Sequence, residues 1–377
     1  MLQERDDKRM SNTDRGCDMR RYQTRAVIAG AALAVAAGSA AQAQDYEFSM
    51  AIIASENSVY YEDMAKPFVD LVSQMTNGRV EIKILTAGTV GSVLKLHEAV
   101  QDGLVDMAHT TPIFLGTADP VNAIVASFPT GLGVDSYLPW LYRAGGQELW
   151  QEHRREKMGL HALVSALGPS ELFAHANKPI RNADDLAGTK YRTLGNWAAI
   201  VSENYESAPT VVAGSEIYGM LEKGGIDLAE YSIPSENMKV AFHEVSKYII
   251  YPGIHAPAWA FETVMLAETW DALPEDIQEQ MALAAELATY RSLNAMIVND
   301  LDAMATYAAG GNEMVRLDDA FIEDAREKSR AWARREAEKA SEGDYDLPIR
   351  LVNSIFDFQD HWRENSYYLV YDTVDGQ

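Results

Sequence analysis

Arg192 lies within the run TKYRTL at 189–194, and a Gly-Asn-Trp turn follows at 195–197. A guanidinium set just past a strand beside a glycine turn suits one task well. Its planar fork can give a carboxylate two parallel hydrogen bonds, which a lysine cannot do. The same residue also reads as half of a surface or interlobe ion pair, because the chain carries 56 acidic against 32 basic side chains. In so acidic a chain, carboxylates near one another in sequence are no signal for glycosidase chemistry. Glu171 and Glu230 could serve as an acid/base pair of a lyase or hydrolase, but no motif supports that reading.

Nucleophile and metal motifs do not appear. Neither His97-Glu98 nor His243-Glu244 extends to H-E-x-x-H. There is no G-x-S-x-G, G-x-G-x-x-G or G-x-x-x-x-G-K-[ST]. A formal charge of −24 argues against nucleic acid and anionic lipid as partners, since both require clustered Lys and Arg.

The N-terminus reads as a leader. Arg20, Arg21 and Arg25 precede an apolar run from Ala26 to about Ala37, and Ala41-Gln42-Ala43 ends it with small residues. This predicts a signal peptide over 1–43, cleaved near Ala43, with Met10 or Met19 as alternative starts. The apolar run is too short to cross a bilayer. Residues 1–43 hold seven basic and five acidic side chains, so the remainder stands near −26. The single cysteine, Cys17, falls in the leader, which leaves the exported chain to its hydrophobic core.

The elements that must position Arg192 follow from periodicity. Residues 46–54 read as a buried strand, and 79–85 alternate with Val80, Ile82 and Ile84 on one side. Between them Met64, Phe68, Leu71, Val72 and Met75 form a helical stripe ending at Gly78. A helix over about 93–102 and a strand in VDMAHT complete a β-α-β-α-β order, which predicts α/β with a largely parallel sheet. Residues 117–146, rich in Gly and Pro, read as irregular, followed by a helix at 147–159 and a strand at 160–168. A second set of short strands and helices runs from Glu171 to His255, with a helix opened by Ser215 and another over 234–246. Beyond Trp270 the chain reads as helical, and its charged segment 318–341 as a solvated face.

Several segments together resemble the solute-binding proteins of tripartite ATP-independent periplasmic (TRAP) transporters. TAGTVGSVLKLHEAVQDGLVDMAH and PIRNADDLAGTKYRTLGN resemble the signatures of the two lobes. FPTGLGVDSYLPWLYRAGGQELWQE, GSEIYGMLEKGGIDLAEYSIPSENM and SKYIIYPGIHAP are similar to the subgroup that binds α-keto acids, sometimes with a metal cation. The resemblance runs from about Tyr46 to about Ala340. It implies a two-lobed α/β fold of the class II periplasmic binding type, with hinge strands, closing on its ligand without catalysis. Lobe I is expected over 44–165 with part of 255–300 returning to it, lobe II over 166–254, and bracing C-terminal helices over 270–377. The implied partners are a small carboxylate and the membrane permease subunits, in the periplasm.

The resemblance also implies a site. Arg192 matches the arginine that pairs with the ligand carboxylate. Glu230 and the Tyr231 carbonyl match a cation-binding pair, and Glu171 stands where the subgroup has a Gln. These oxygens suit Na⁺ or Ca²⁺. The chain departs from the pattern at Ala256, where H-E-P is common, at Leu167, which lacks an Asn donor, and in TVMLAETW, which also lacks one. Two readings follow: a cation site with its charge moved to Glu171, or no cation site and Glu171 on a polar group of a different ligand. Phe114, Trp197, Tyr231 and Trp259, with Tyr60 and Tyr61, are candidate ligand walls or core. Asn196 is a further candidate, as is Glu216, which also reads as a helix cap. A receptor that signals to a sensor kinase would need the same site and differ only in its partner.

Overall fold

A computed structural model describes residues 45–369 apart from Thr117, Glu342 and Asp344, so the expected leader lies outside the described residues. The alternating segments become strands β1 (Tyr46–Ile52) and β2 (Val80–Leu85), paired in parallel with Tyr46 opposite Val80. Their inward residues, Met50 and Ile52 with Val80 and Ile82, pack on Phe68, Leu71 and Val72 of the helix Lys66–Met75. β3 (Met107–Thr110) lies on the other side of β1, also parallel.

The chain then forms β4 (Leu160–Gly168), buried along its whole length. It does not pair with β3. β10 (Trp259–Leu266) inserts between them, antiparallel to both, and the sheet runs β2-β1-β3-β10-β4. The other four strands run in one direction, so the expected largely parallel sheet holds apart from β10. That inner strand, Trp259–Leu266, comes from beyond all but the last strand of a second sheet and runs with opposite polarity. The second sheet runs β11-β9-β5-β8-β6-β7 and is built from short strands: β5 (Ala174–Ala176), β6 (Lys190–Arg192), β7 (Ala208–Thr210), β8 (Leu228–Ala229), β9 (Tyr248–Tyr251) and β11 (Glu313–Arg316). The fold is thus mixed α/β with one sheet to each lobe.

Residues 117–146 are not irregular. They hold the helices Pro120–Ala126 and Val134–Arg143. The first begins where the Asp119 carboxylate accepts from Val121 N at 3.1 Å and Pro120 supplies a preset φ. The second continues through Pro139, and Tyr137, Trp140 and Leu141 bury against the core. Packing of these large side chains outweighs the missing backbone donor. The helix expected over 234–246 is broken instead into Pro234–Lys239 and Phe242–Val245 by Ala241, whose φ is +59°.

The helix Glu275–Gly310 touches both halves. Ala284, Ala285 and Ala288 let its backbone approach the first sheet, where Thr289 Oγ1 donates to the Val164 carbonyl at 3.2 Å. Further along, Asp300 accepts from Ser235 N at 2.9 Å and the Tyr307 hydroxyl donates to the Pro234 carbonyl at 2.7 Å. Among the described residues no helix is long and apolar enough to cross a membrane.

Candidate functional site

A cavity of about 220 Å³ opens between the two sheets. Tyr60, Phe114 and Trp259 line it from the side of the first sheet. Glu171, Asn196, Trp197, Glu230 and Tyr231 line it from the side of the second. Tyr60, Trp259 and Phe261 form a compact wall, with Tyr60 and Phe261 stacked at 5.5 Å between centroids and Trp259 edge-on to Phe261 at 5.7 Å. Such a wall supplies apolar area with defined shape and leaves orientation to a few polar groups.

Those polar groups meet at the crossing from β4 into the second sheet. The Glu171 backbone N–H donates to the Ala256 carbonyl at 3.1 Å. A methyl on Gly253 would lie 2.0 Å from the Glu171 carbonyl oxygen, so only glycine permits the two segments to approach this closely. The same contact brings His255 Nε2 to 3.0 Å from Glu171 Oε2. Glu230 follows β8, and its N–H donates to the Arg192 carbonyl at 3.1 Å, which sets it beside the end of β6. One ligand atom from each of Glu171, Glu230 and His255 lies within 4.8 Å of the others. Two carboxylates and an imidazole at that spacing fit a cation.

Arg192 is buried, 4% exposed, one layer behind Glu230. Its Nη1 donates to the Glu230 carbonyl at 2.7 Å and lies 3.3 Å from Glu230 Oε2, and its Nε donates to the Val212 carbonyl at 3.4 Å. Nη2 donates no hydrogen bond among the described residues, and Arg192 is not among the cavity-lining side chains. Burial pushes the Glu230 carboxyl up, against the opposing pull of Arg192. Burial likewise raises the Tyr60 and Tyr231 hydroxyls, which stay protonated donors.

Four residues that line the cavity have a buried nitrogen with no partner among the described residues: Asn196 Nδ2, Trp197 Nε1, Trp259 Nε1 and His255 Nδ1. Leaving such a group unpaired costs about 1–3 kcal/mol each. A ligand carrying acceptor oxygens would satisfy them.

The remaining sequence candidates fall elsewhere. Tyr61 packs, half-buried, against the core of the first sheet. Glu216 is exposed and accepts from Ala213 N at 3.2 Å, closing the first turn of its helix. Leu167 is buried beneath the long helix, its N–H donating to Ser292 Oγ at 3.3 Å. Ala256 lines the cavity and contributes its carbonyl to Glu171. His255 is the site residue that the sequence reading passes over. It stood inside PGIHAP, directly before the flagged Ala256, but its pairing with Glu171 spans 84 residues of chain.

Residues 50–340 match the model of the bacterial extracellular solute-binding proteins, family 7. The monocarboxylate 2-oxoacid-binding periplasmic protein of Nostoc sp. is 29% identical over 65% of this chain and 66% of its own length, just under two thirds of that relative. The ectoine/5-hydroxyectoine-binding periplasmic protein of Ruegeria pomeroyi is 24% identical over 70% of this chain and 75% of its own. Among solved structures, a TRAP periplasmic solute-binding protein from Colwellia psychrerythraea with bound calcium and pyruvate superposes with a TM-score of 0.77 at 20% identity, covering 86% of this chain and 99% of that one. A second, from Pseudoalteromonas atlantica with bound sodium and pyruvate, gives 0.75 at 21% identity, covering 87% and 100%.

Proposed function

Because this chain belongs to the bacterial extracellular solute-binding proteins of family 7, we propose that it is the periplasmic solute-binding component of a TRAP-type uptake transporter. It captures a small organic acid, a 2-oxo acid or related carboxylate, with a metal cation, and hands it to the membrane permease subunits. Residues 1–43 are assigned as the leader, removed near Ala43. The two lobes close on the ligand, and no covalent step is assigned to the site.

The observation that carries this reading is the composition of one cavity. Unpartnered donors on Asn196 and Trp259 face a region where Glu171, Glu230 and His255 converge. Donors call for an acceptor-rich ligand, and converging carboxylates call for a cation, so a chelated carboxylate answers both demands. Similar proteins with bound pyruvate and bound sodium or calcium support the same pairing. The ligand carboxylate is assigned to the guanidinium of Arg192 through Nη2, with Glu171, Glu230 and the Tyr231 carbonyl on the cation. Phe114, Trp197, Tyr231 and Trp259 enclose the remainder.

Calorimetric titration of the purified chain with pyruvate and longer 2-oxo acids, with and without added cation, tests this reading. Saturable one-to-one binding that weakens when the cation is withdrawn is the expected result. If no small carboxylate binds under any cation condition, the reading fails.

A further inference from the structure

We infer that this site is built for a divalent cation rather than Na⁺, with the imidazole of His255 as a ligand beside Glu171 and Glu230. The inference rests on the cation-assisted carboxylate reading above and narrows it to this chain's own residues.

Charge carries the first half. Glu171 and Glu230 both line the cavity, and Arg192, which contacts Glu230, is the one guanidinium in contact with either among the described residues. Once a ligand carboxylate joins and all three carboxylates are deprotonated as cation ligands, they face one guanidinium, and two negative charges are left over. A divalent ion closes that difference. A monovalent ion would leave one buried charge unpaired, and an unpaired charge in a desolvated site is strongly unfavourable.

Donor chemistry carries the second half. His255 is 8% exposed, lines the cavity, and directs Nε2 to within 3.0 Å of Glu171 Oε2. Its Nδ1 is buried without a partner among the described residues. The 3.0 Å contact is a hydrogen bond with the proton on Nε2, and a cation that displaces that proton takes the Nε2 lone pair and the carboxylate oxygen together. An imidazole with two carboxylates is a donor set suited to first-row divalent metals, whereas Na⁺ and Ca²⁺ favour oxygen alone.

The test uses the chain freed of metal with a chelator, then titrated with Mn²⁺, Ca²⁺ or Na⁺ at constant ionic strength, with pyruvate present throughout. One Mn²⁺ should bind per chain, at least 100-fold tighter than Na⁺ and tighter than Ca²⁺. Pulsed EPR of the Mn²⁺-loaded protein should show coupling to an imidazole nitrogen. In H255Q that coupling should vanish, and Mn²⁺ affinity should fall about ten-fold while Ca²⁺ affinity moves less. In E171Q, an isosteric change, divalent binding should weaken at least ten-fold and the margin over Na⁺ should shrink. Thermal melts of both variants confirm that they fold. Na⁺ supporting pyruvate binding as well as Mn²⁺ would overturn the inference and leave the carboxylate reading standing, as would pyruvate binding with no cation at all. A Mn²⁺ signal without nitrogen coupling would also overturn it. Failure of every carboxylate under every ion would remove the reading on which it rests.

Discussion

Arg192 grips Glu230 at two points, through a 2.7 Å bond to its carbonyl oxygen and a 3.3 Å approach to its carboxylate. The guanidinium assigned to the ligand is thus already the support of the acid assigned to the cation. Arg192→Ala should weaken pyruvate by about 1.5–3 kcal/mol, roughly 10- to 150-fold, because a charge-assisted bond disappears. Arg192→Lys should recover little, since one ammonium cannot reproduce the fork. Calorimetry on both variants checks this, and unchanged affinity in Arg192→Ala would end the assignment.

Gly253 is as important to the site as any side chain in it. A methyl there would meet the Glu171 backbone at 2.0 Å, and backbone yields less readily than a side chain. Gly253→Ala should therefore displace Glu171 and His255 together. Cation affinity should drop by at least ten-fold while far-ultraviolet circular dichroism stays at the wild-type level. An unaltered cation titration would show that the loop absorbs the change.

A buried ion cluster away from the cavity should govern part of the stability. Arg154 Nη2 lies 2.6 Å from Glu262 Oε1, His97 Nε2 lies 2.8 Å from the same oxygen, and Trp150 Nε1 donates to Oε2 at 2.9 Å. Arg154→Ala leaves the Glu262 carboxylate buried with its main partner gone, which should cost about 3–5 kcal/mol. Urea unfolding measures the loss. Ligand affinity should not follow it, because none of these residues lines the cavity.

Acid should destabilise the fold in two stages. Burial holds the imidazoles of His109, His161 and His175 down to about 3, below their ordinary value near 6.5. A depressed value means that stability is complete above about 6.5 and is lost as pH falls towards 3. Burial alone would raise the Glu262 carboxyl, but Arg154 and His97 outweigh it and hold it at about 2. Its contribution is present above about 4.3 and is lost from there downward. Asp300, pushed up to about 6 by burial, acts in the opposite sense, as does Glu230, which burial also raises. Melting temperatures should therefore fall from near pH 6.5 and more steeply below about 4.3. A flat profile between pH 7 and 4.5 would contradict the imidazole part.

The legible parts of this fold are those with a period. β1, β2 and the Phe68 stripe alternate or recur over enough residues to declare themselves. β5, β7 and β8 span two or three residues, too few for any pattern. β10 is buried on both faces for nearly its whole length, so it shows no alternation, and its place between β3 and β4 is a long-range fact. The site divides in the same way. Arg192 was visible as a residue type at a strand end, but its capture by Glu230 depends on β6 pairing with β8. Glu171 and His255 are distant in sequence, and it is the close approach at Gly253 that brings them together.

The insertion of β10 bears on how this chain can acquire its shape. Until residue 266 has left the ribosome, β3 and β4 have no shared neighbour, and each presents an open edge. The N-terminal sheet cannot be completed until the whole second lobe has been synthesised, so the first half is not a separable folding unit. Fragments ending near residue 254 should stay unfolded or aggregate, and the native state should form only after most of the polypeptide has been made.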